Sequence, residues 1–155
     1  MERPSWDDYF NEMLEVVSRR ATCDRGRSAC IIVRDRRILA TGYVGSPPGI
    51  PHCDDVGHLL RKVIDETGTE RQHCTRTVHA EQNAIAQAAR YGISLEGSTI
   101  HCTMEPCYTC AMLIVSIGAA RVVASKQYHA GGPSRELLAN AGVELEVLDQ
   151  EVMVY

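Results

Sequence analysis

The chain has 155 residues, 16 Lys+Arg against 20 Asp+Glu for a net charge of −4, and 45% hydrophobic residues. That length suits one domain, residues 1–155, able to bury roughly 68–70% of its unfolded surface, and the composition excludes wholesale disorder. The acidic balance argues against a protein whose work is gripping a phosphate backbone, and no apolar run reaches the roughly 18–20 residues of a membrane span. With no signal-peptide core after Met1-Glu2-Arg3-Pro4, the chain reads as a soluble cytoplasmic domain with neither nucleic acid nor membrane as partner.

Ser5, with Asp8 three residues on, reads as an N-cap, and Trp6, Phe10, Met13, Leu14 and Val17 recur at helical spacing, which predicts a helix from about Ser5 to Thr22. Residues 29–33 and 37–41 flank Arg34-Asp35-Arg36 as a β-hairpin. From Val44 to about Val78 no strand is obvious, and a short helical stretch is expected near His58–Asp65. A loop that long calls for a functional reason. Further helices are expected over 79–90, 106–117 and 134–140, alternating with strands over 98–103, 121–124 and 143–148. Strands alternating with helices predict a single-domain, three-layer α/β/α arrangement around a mixed sheet.

Seven cysteines and six histidines are many for such a chain, and no secretory signal favours disulfides, so metal ligation is the better reading. His79-Ala80-Glu81 opens one predicted helix and Pro106-Cys107-Tyr108-Thr109-Cys110 opens another. One imidazole and two thiolates make a three-ligand zinc site with a fourth position open, the arrangement of catalytic rather than structural zinc. Two thiolates cancel the charge of Zn²⁺ and weaken its hold on a water proton, so a nearby base is needed, and Glu81 is placed to supply it. His-x-Glu followed by Pro-Cys-x-x-Cys is the signature of zinc nucleobase deaminases.

Thr77 to Ile85, Trp6 to Phe10, Thr22-Cys23 and Gly42-Tyr43-Val44-Gly45-Ser46 together resemble the deoxycytidylate (dCMP) deaminases of the cytidine/deoxycytidylate deaminase family. The resemblance runs from about Arg3 to Val147. It implies the cytidine-deaminase fold with a five-stranded mixed sheet, hydrolysis of dCMP to dUMP and ammonia, and a homohexamer. It also implies His79, Cys107 and Cys110 as zinc ligands and Glu81 as the group that moves a proton from the attacking water to N3 and afterwards protonates the departing amino group. Arg25 stands where the family carries a 5′-phosphate contact, and Tyr43, Val44 and Tyr128 match positions near the nucleotide. Many members have asparagine at Val44. Valine cannot make that residue's hydrogen bonds, so the sugar contact and regulation by dCTP or dTTP, with Mg²⁺ entering only alongside such a triphosphate, are not expected to carry over unchanged. Other nucleotides or nucleosides of cytosine, and adenosine in transfer RNA, are the rival substrates within this fold. A zinc-stabilised module without catalysis would have no use for Glu81.

Cys23, Cys53, His73 and Cys74 remain once the catalytic set is removed, and they suit a second, structural zinc that orders the long loop, with His52 and His58 as competing ligands. Some relatives, a bacteriophage enzyme among them, resemble this chain in an extra zinc bound by a cysteine matching Cys23. Cys30 and Cys102 read as core thiols, and His101 and His129 have no partner apparent from the sequence.

Overall fold

A computed structural model describes residues 1–154. The first helix, α1 (Trp6–Ser18), starts where Ser5 caps it, its Oγ accepting from the Asp8 N–H at 3.1 Å. Strands β1 (Ala29–Arg34) and β2 (Arg37–Tyr43) form the expected hairpin, turning through Asp35 and Arg36 at φ 51° and 61°. Two successive left-handed residues give the turn whose twist matches that of paired strands.

The excursion from Val44 to Val78 differs from the sequence reading. It holds a single helical turn, α2 (Cys53–Val56), then strand β3 (Leu60–Ile64) where a helix was expected, and strand β4 (Glu70–Cys74) antiparallel to it. The reason is compositional. Glu70-Arg71-Gln72-His73-Cys74 carries no apolar alternation, so nothing in the sequence announces β3's partner. The excursion closes on itself where the Val78 N–H donates to the Gly45 carbonyl at 3.0 Å, immediately before His79.

The rest follows in strict alternation: α3 (Ala80–Tyr91), β5 (Thr99–Met104), α4 (Tyr108–Ser116), β6 (Arg121–Tyr128), α5 (Gly132–Asn140), β7 (Glu144–Val147) and β8 (Val152–Met153). The main sheet runs β2-β1-β5-β6-β7, with β8 added beside the end of β6. β1 is antiparallel to β2 and β5, while β5, β6 and β7 are parallel, so the five-stranded path is mixed as expected.

Two cores explain the three layers. Cys30, Ile32, Ile100, Cys102, Val122 and Ala124 face Ala84, Ala111, Ile114 and Leu138 of α3, α4 and α5. On the opposite face Ala29, Ile31 and Val33 meet Phe10 and Leu14 of α1. β1 is therefore buried on both sides, which is why it reads as a continuous apolar run. Cys30 and Cys102 lie opposite each other across the β1–β5 pair and are core thiols, raised by burial beyond any role as thiolates at neutral pH. Among the described residues, no helix is long and apolar enough to cross a membrane.

Candidate active site

Two helix starts converge at one end of the sheet. His79 is the N-cap of α3, and its N–H donates to Gln82 Oε1 at 3.0 Å. Alanines at 80, 84 and 88 give α3 a shallow inner face that lies almost against β2. A Cβ on Gly42 would collide with the Ala80 carbonyl and stand 2.6 Å from the Ala84 nitrogen, so only glycine permits this approach. The Asn83 side-chain amide adds a bond to the Tyr43 carbonyl at 2.6 Å. Cys107 is the N-cap of α4, preceded by the buried Pro106, so Cys110 sits one turn on with its thiol toward the same point.

The His79 Nδ1 lies 3.5 Å from Cys107 Sγ and 3.4 Å from Cys110 Sγ. Tetrahedral zinc with bonds of about 2.0–2.1 Å to nitrogen and about 2.3 Å to sulfur sets an N···S separation of about 3.5 Å, so the donors fit that ion. A hydrogen bond from Cys110 and then the imidazole of His79 hold the Cys107 thiol down at about 4, while the same shared proton and burial push Cys110 up. Glu81 is buried, and burial raises its carboxyl above the ordinary carboxylate range. It lines one narrow cavity with His79, Cys107 and Val44.

Around this point the structure brings together some of the residues expected at the nucleotide and sends one elsewhere. Arg25 lines a cleft with Val44, His73 and His79, its guanidinium donating to the Gln72 carbonyl at 2.8 Å. Tyr128 is buried in a cavity of about 350 Å³ that His73, His79 and Cys107 also line. Val44 faces the zinc-ligand side, but Tyr43, the residue before it at the end of β2, faces a separate cavity with Asn83, Gln87 and Tyr91. Successive side chains of an extended chain point to opposite faces, so Tyr43 and Val44 do not share a site.

The remaining cysteines converge as expected, with a different histidine. Cys23, Cys53, Cys74 and His58 place their ligand atoms within 4.8 Å of one another. Cys23 Sγ lies 3.5 Å from His58 Nδ1, and Cys53 Sγ 3.4 Å from Cys74 Sγ. The other His58 nitrogen meets Asp24 Oδ1 at 3.0 Å, a carboxylate that orients the ring. His73 does not join this set. It precedes Cys74 in β4, so its side chain leaves the opposite face and lines the cleft beside His79. Burial and Cys74 raise the Cys53 thiol to about 12, whereas backbone hydrogen bonds at Arg76 and Leu59 outweigh burial and bring Cys74 down to about 6.

Sequence reasoning missed the residues that brace the site. Glu105, wholly buried beside Pro106, accepts two bonds from Arg135, each 2.6 Å, and a third from the Tyr128 N–H at 3.2 Å. A carboxylate immediately before Pro-Cys-x-x-Cys is the one hint the sequence offered. Asp65 and Glu66, at the β3–β4 turn, approach the same cavity and gave no signal at all.

Comparison with known proteins gives a consistent picture. The profile of the cytidine and deoxycytidylate deaminase zinc-binding region matches residues 4–126. ComE operon protein 2 of Bacillus subtilis is 38% identical over 154 residues, covering 99% of this chain and 77% of that protein. The deoxycytidylate deaminase of Mycobacterium phage D29 is 36% identical over 82% of this chain and 99% of its own length. That of Schizosaccharomyces pombe is also 36% identical, but this chain spans only 44% of it. The crystal structure of the cyanophage S-TIM5 dCMP deaminase with dCMP and dUMP superimposes with a TM-score of 0.75 at 28% identity, covering 95% of this chain and 99% of that one.

Proposed function

The chain belongs to the cytidine and deoxycytidylate deaminase family, and from that membership we propose that it is a zinc-dependent hydrolase converting dCMP to dUMP and ammonia. The observation that carries the reading is the pairing of a three-donor set, His79, Cys107 and Cys110, with a buried carboxyl, Glu81, in one narrow cavity. A structural zinc site takes four protein ligands and has no need of an acid/base beside it.

Zinc held by those three residues would supply Lewis-acid activation of a water. Glu81 would take one proton of that water and deliver it to N3 of the cytosine, then take the second from the hydroxyl formed at C4 and give it to the amino group, which leaves as ammonia. Burial suits it to this work, because a carboxyl raised above its ordinary range both accepts and returns a proton more readily near neutral pH. Arg25, at the cleft mouth, offers the guanidinium that a 5′-phosphate takes up. Tyr128 lines the neighbouring cavity with His79 and Cys107, and Val44 lines the cleft of Arg25 with no polar group to offer.

We read Cys23, Cys53, His58 and Cys74 as ligands of a second, structural Zn²⁺, supported by the closeness of the four donors and the carboxylate behind His58. The whole of 1–155 acts as one catalytic domain in cytoplasmic deoxynucleotide metabolism, assembled as a homohexamer. Exposed apolar side chains such as Tyr91 on α3 and Met112 on α4 favour self-association. Because Val44 cannot replace an asparagine, dCTP with Mg²⁺ activates weakly or not at all. A lost hydrogen bond of about 1–3 kcal/mol is roughly a five- to 150-fold loss of affinity. Initial rates against dCMP with and without dCTP and Mg²⁺ test this, and a strong sigmoidal response abolished by micromolar dCTP would contradict it. The activity itself is tested by following dCMP with zinc-loaded protein: dUMP and ammonia should appear in equal amounts, and the absence of either sinks the reading.

A further inference from the structure

The β3–β4 hairpin pairs with no strand of the main sheet, yet its turn reaches the substrate cavity. At that turn Asp65 has a completely buried side chain that accepts from five donors. Four are in the hairpin: the Thr67 N–H at 2.9 Å and its hydroxyl at 2.5 Å, the Thr69 N–H at 3.0 Å and Arg71 Nε at 2.7 Å. The fifth lies outside it, His129 Nε2 at 3.2 Å. The neighbouring Glu66 accepts from the Tyr128 hydroxyl at 3.4 Å and from the Tyr108 N–H, at the start of α4, at 3.0 Å. Four bonds within the turn make Asp65 a rigid acceptor, and a rigid acceptor can fix the position of a donor brought to it from elsewhere.

We propose that Asp65 is a positioning residue: through His129 it holds Tyr128 in the wall of the substrate cavity, so that the hairpin sets the geometry of nucleotide binding. This rests on the reading of that cavity as the dCMP site. Asp65 touches none of the reacting atoms and acts through its neighbour. Its loss should therefore cost binding rather than the chemical step. Arg71 and the two threonines would hold the turn together when His129 alone is changed.

The test uses the zinc-loaded chain and four variants. Asp65→Asn and His129→Ala should each raise KM for dCMP at least about tenfold, changing kcat by less than about threefold and zinc content not at all. The double variant should be no worse than Asp65→Asn alone, because the contact with His129 is already lost there. Lys62→Gln, which breaks the Lys62–Glu70 pair in the same hairpin, should leave KM at the wild-type value. A KM unchanged in His129→Ala, effects that multiply in the double variant, or an equal rise in Lys62→Gln would each overturn the proposal. Amide hydrogen exchange reads the positioning without substrate. Asp65→Asn and His129→Ala should speed exchange at the amides of positions 128 and 129 about tenfold while residues 122–124 stay protected, and unchanged exchange overturns the proposal. If the wild type fails to turn over dCMP while exchange shifts as expected, the substrate reading fails and the positioning stands.

Discussion

Glu81 and His101 show what burial does to a titratable side chain in opposite chemical settings. Glu81 is shut into the cavity beside the zinc donors, where burial raises its carboxyl and makes proton exchange easier. Glu81→Gln should keep the fold and the zinc, measured by elemental analysis, and lose about 10²–10⁴-fold in turnover, the range of general acid–base work. Near-normal turnover in that variant would remove the mechanism. His101 is buried under α1, its Nδ1 bonded to Asn11 Oδ1 at 2.8 Å and its ring against Phe10, and burial lowers it to about 4. An unfolded chain protonates histidine near pH 6.5. Between about 6.5 and 4 the unfolded state therefore binds a proton that the folded state refuses, and stability must fall as the pH falls through that window. The loss should be on the order of 2 kcal/mol after allowing for solvent screening. Thermal unfolding of wild type and His101→Gln across this range checks it: the variant's pH dependence should be flatter, and parallel curves would contradict the assignment. The meeting of His79 with Cys107 and Cys110 was legible because each half of the set is a short local motif at a helix start. The bond of His101 to Asn11 was not, since 90 residues separate its partners.

At the scale of elements, the approach of α3 to β2 and the outlying hairpin govern where the chemistry sits. Gly42→Ala would drive a methyl into the backbone of α3, which cannot yield as a flexible side chain can. It should cost about 1–3 kcal/mol or more of stability, by denaturant unfolding, and should lower activity with it because α3 carries His79 and Glu81. A variant as stable as the wild type would show that the helix shifts freely. The hairpin is anchored at its root by the second cysteine set and at its tip by Asp65 and Glu66. Zinc analysis of metal-replete protein should give about two ions per chain. Cys53→Ser and His58→Ala should each lose one and lower the melting temperature more than kcat, whereas His73→Ala should keep both. Retention of two in His58→Ala, or loss in His73→Ala, would reverse the ligand assignment. The sequence put His73 in the set beside Cys74, with His52 and His58 as competing ligands. Membership of β4 sets His73 to the face opposite Cys74, and β4 is too polar to reveal itself in the sequence.

Across the whole molecule, the alternation of helices and strands after the first hairpin was enough to indicate a mixed sheet covered on both faces, and the apolar run of β1 marked its centre. What remained hidden is the wall of the cleft, built from the β3–β4 hairpin and the Tyr128–His129 corner, because it is held by single polar contacts between segments 62 to 64 residues apart. That wall and the cleft of Arg25 share His73 and His79 in their linings, and the proposed function assigns the base to the zinc donors and the phosphate to Arg25. On the proposed function, the protein selects the 5′-monophosphate of deoxycytidine. That selection is tested most directly by offering dCMP, deoxycytidine, CMP and dCTP side by side to the zinc-loaded protein and measuring kcat/KM from product formation. Of the four, dCMP should be the best substrate, with deoxycytidine at least about tenfold poorer for want of the charge-assisted bonds to Arg25. Equal turnover of deoxycytidine, or a preference for CMP or dCTP, would contradict it.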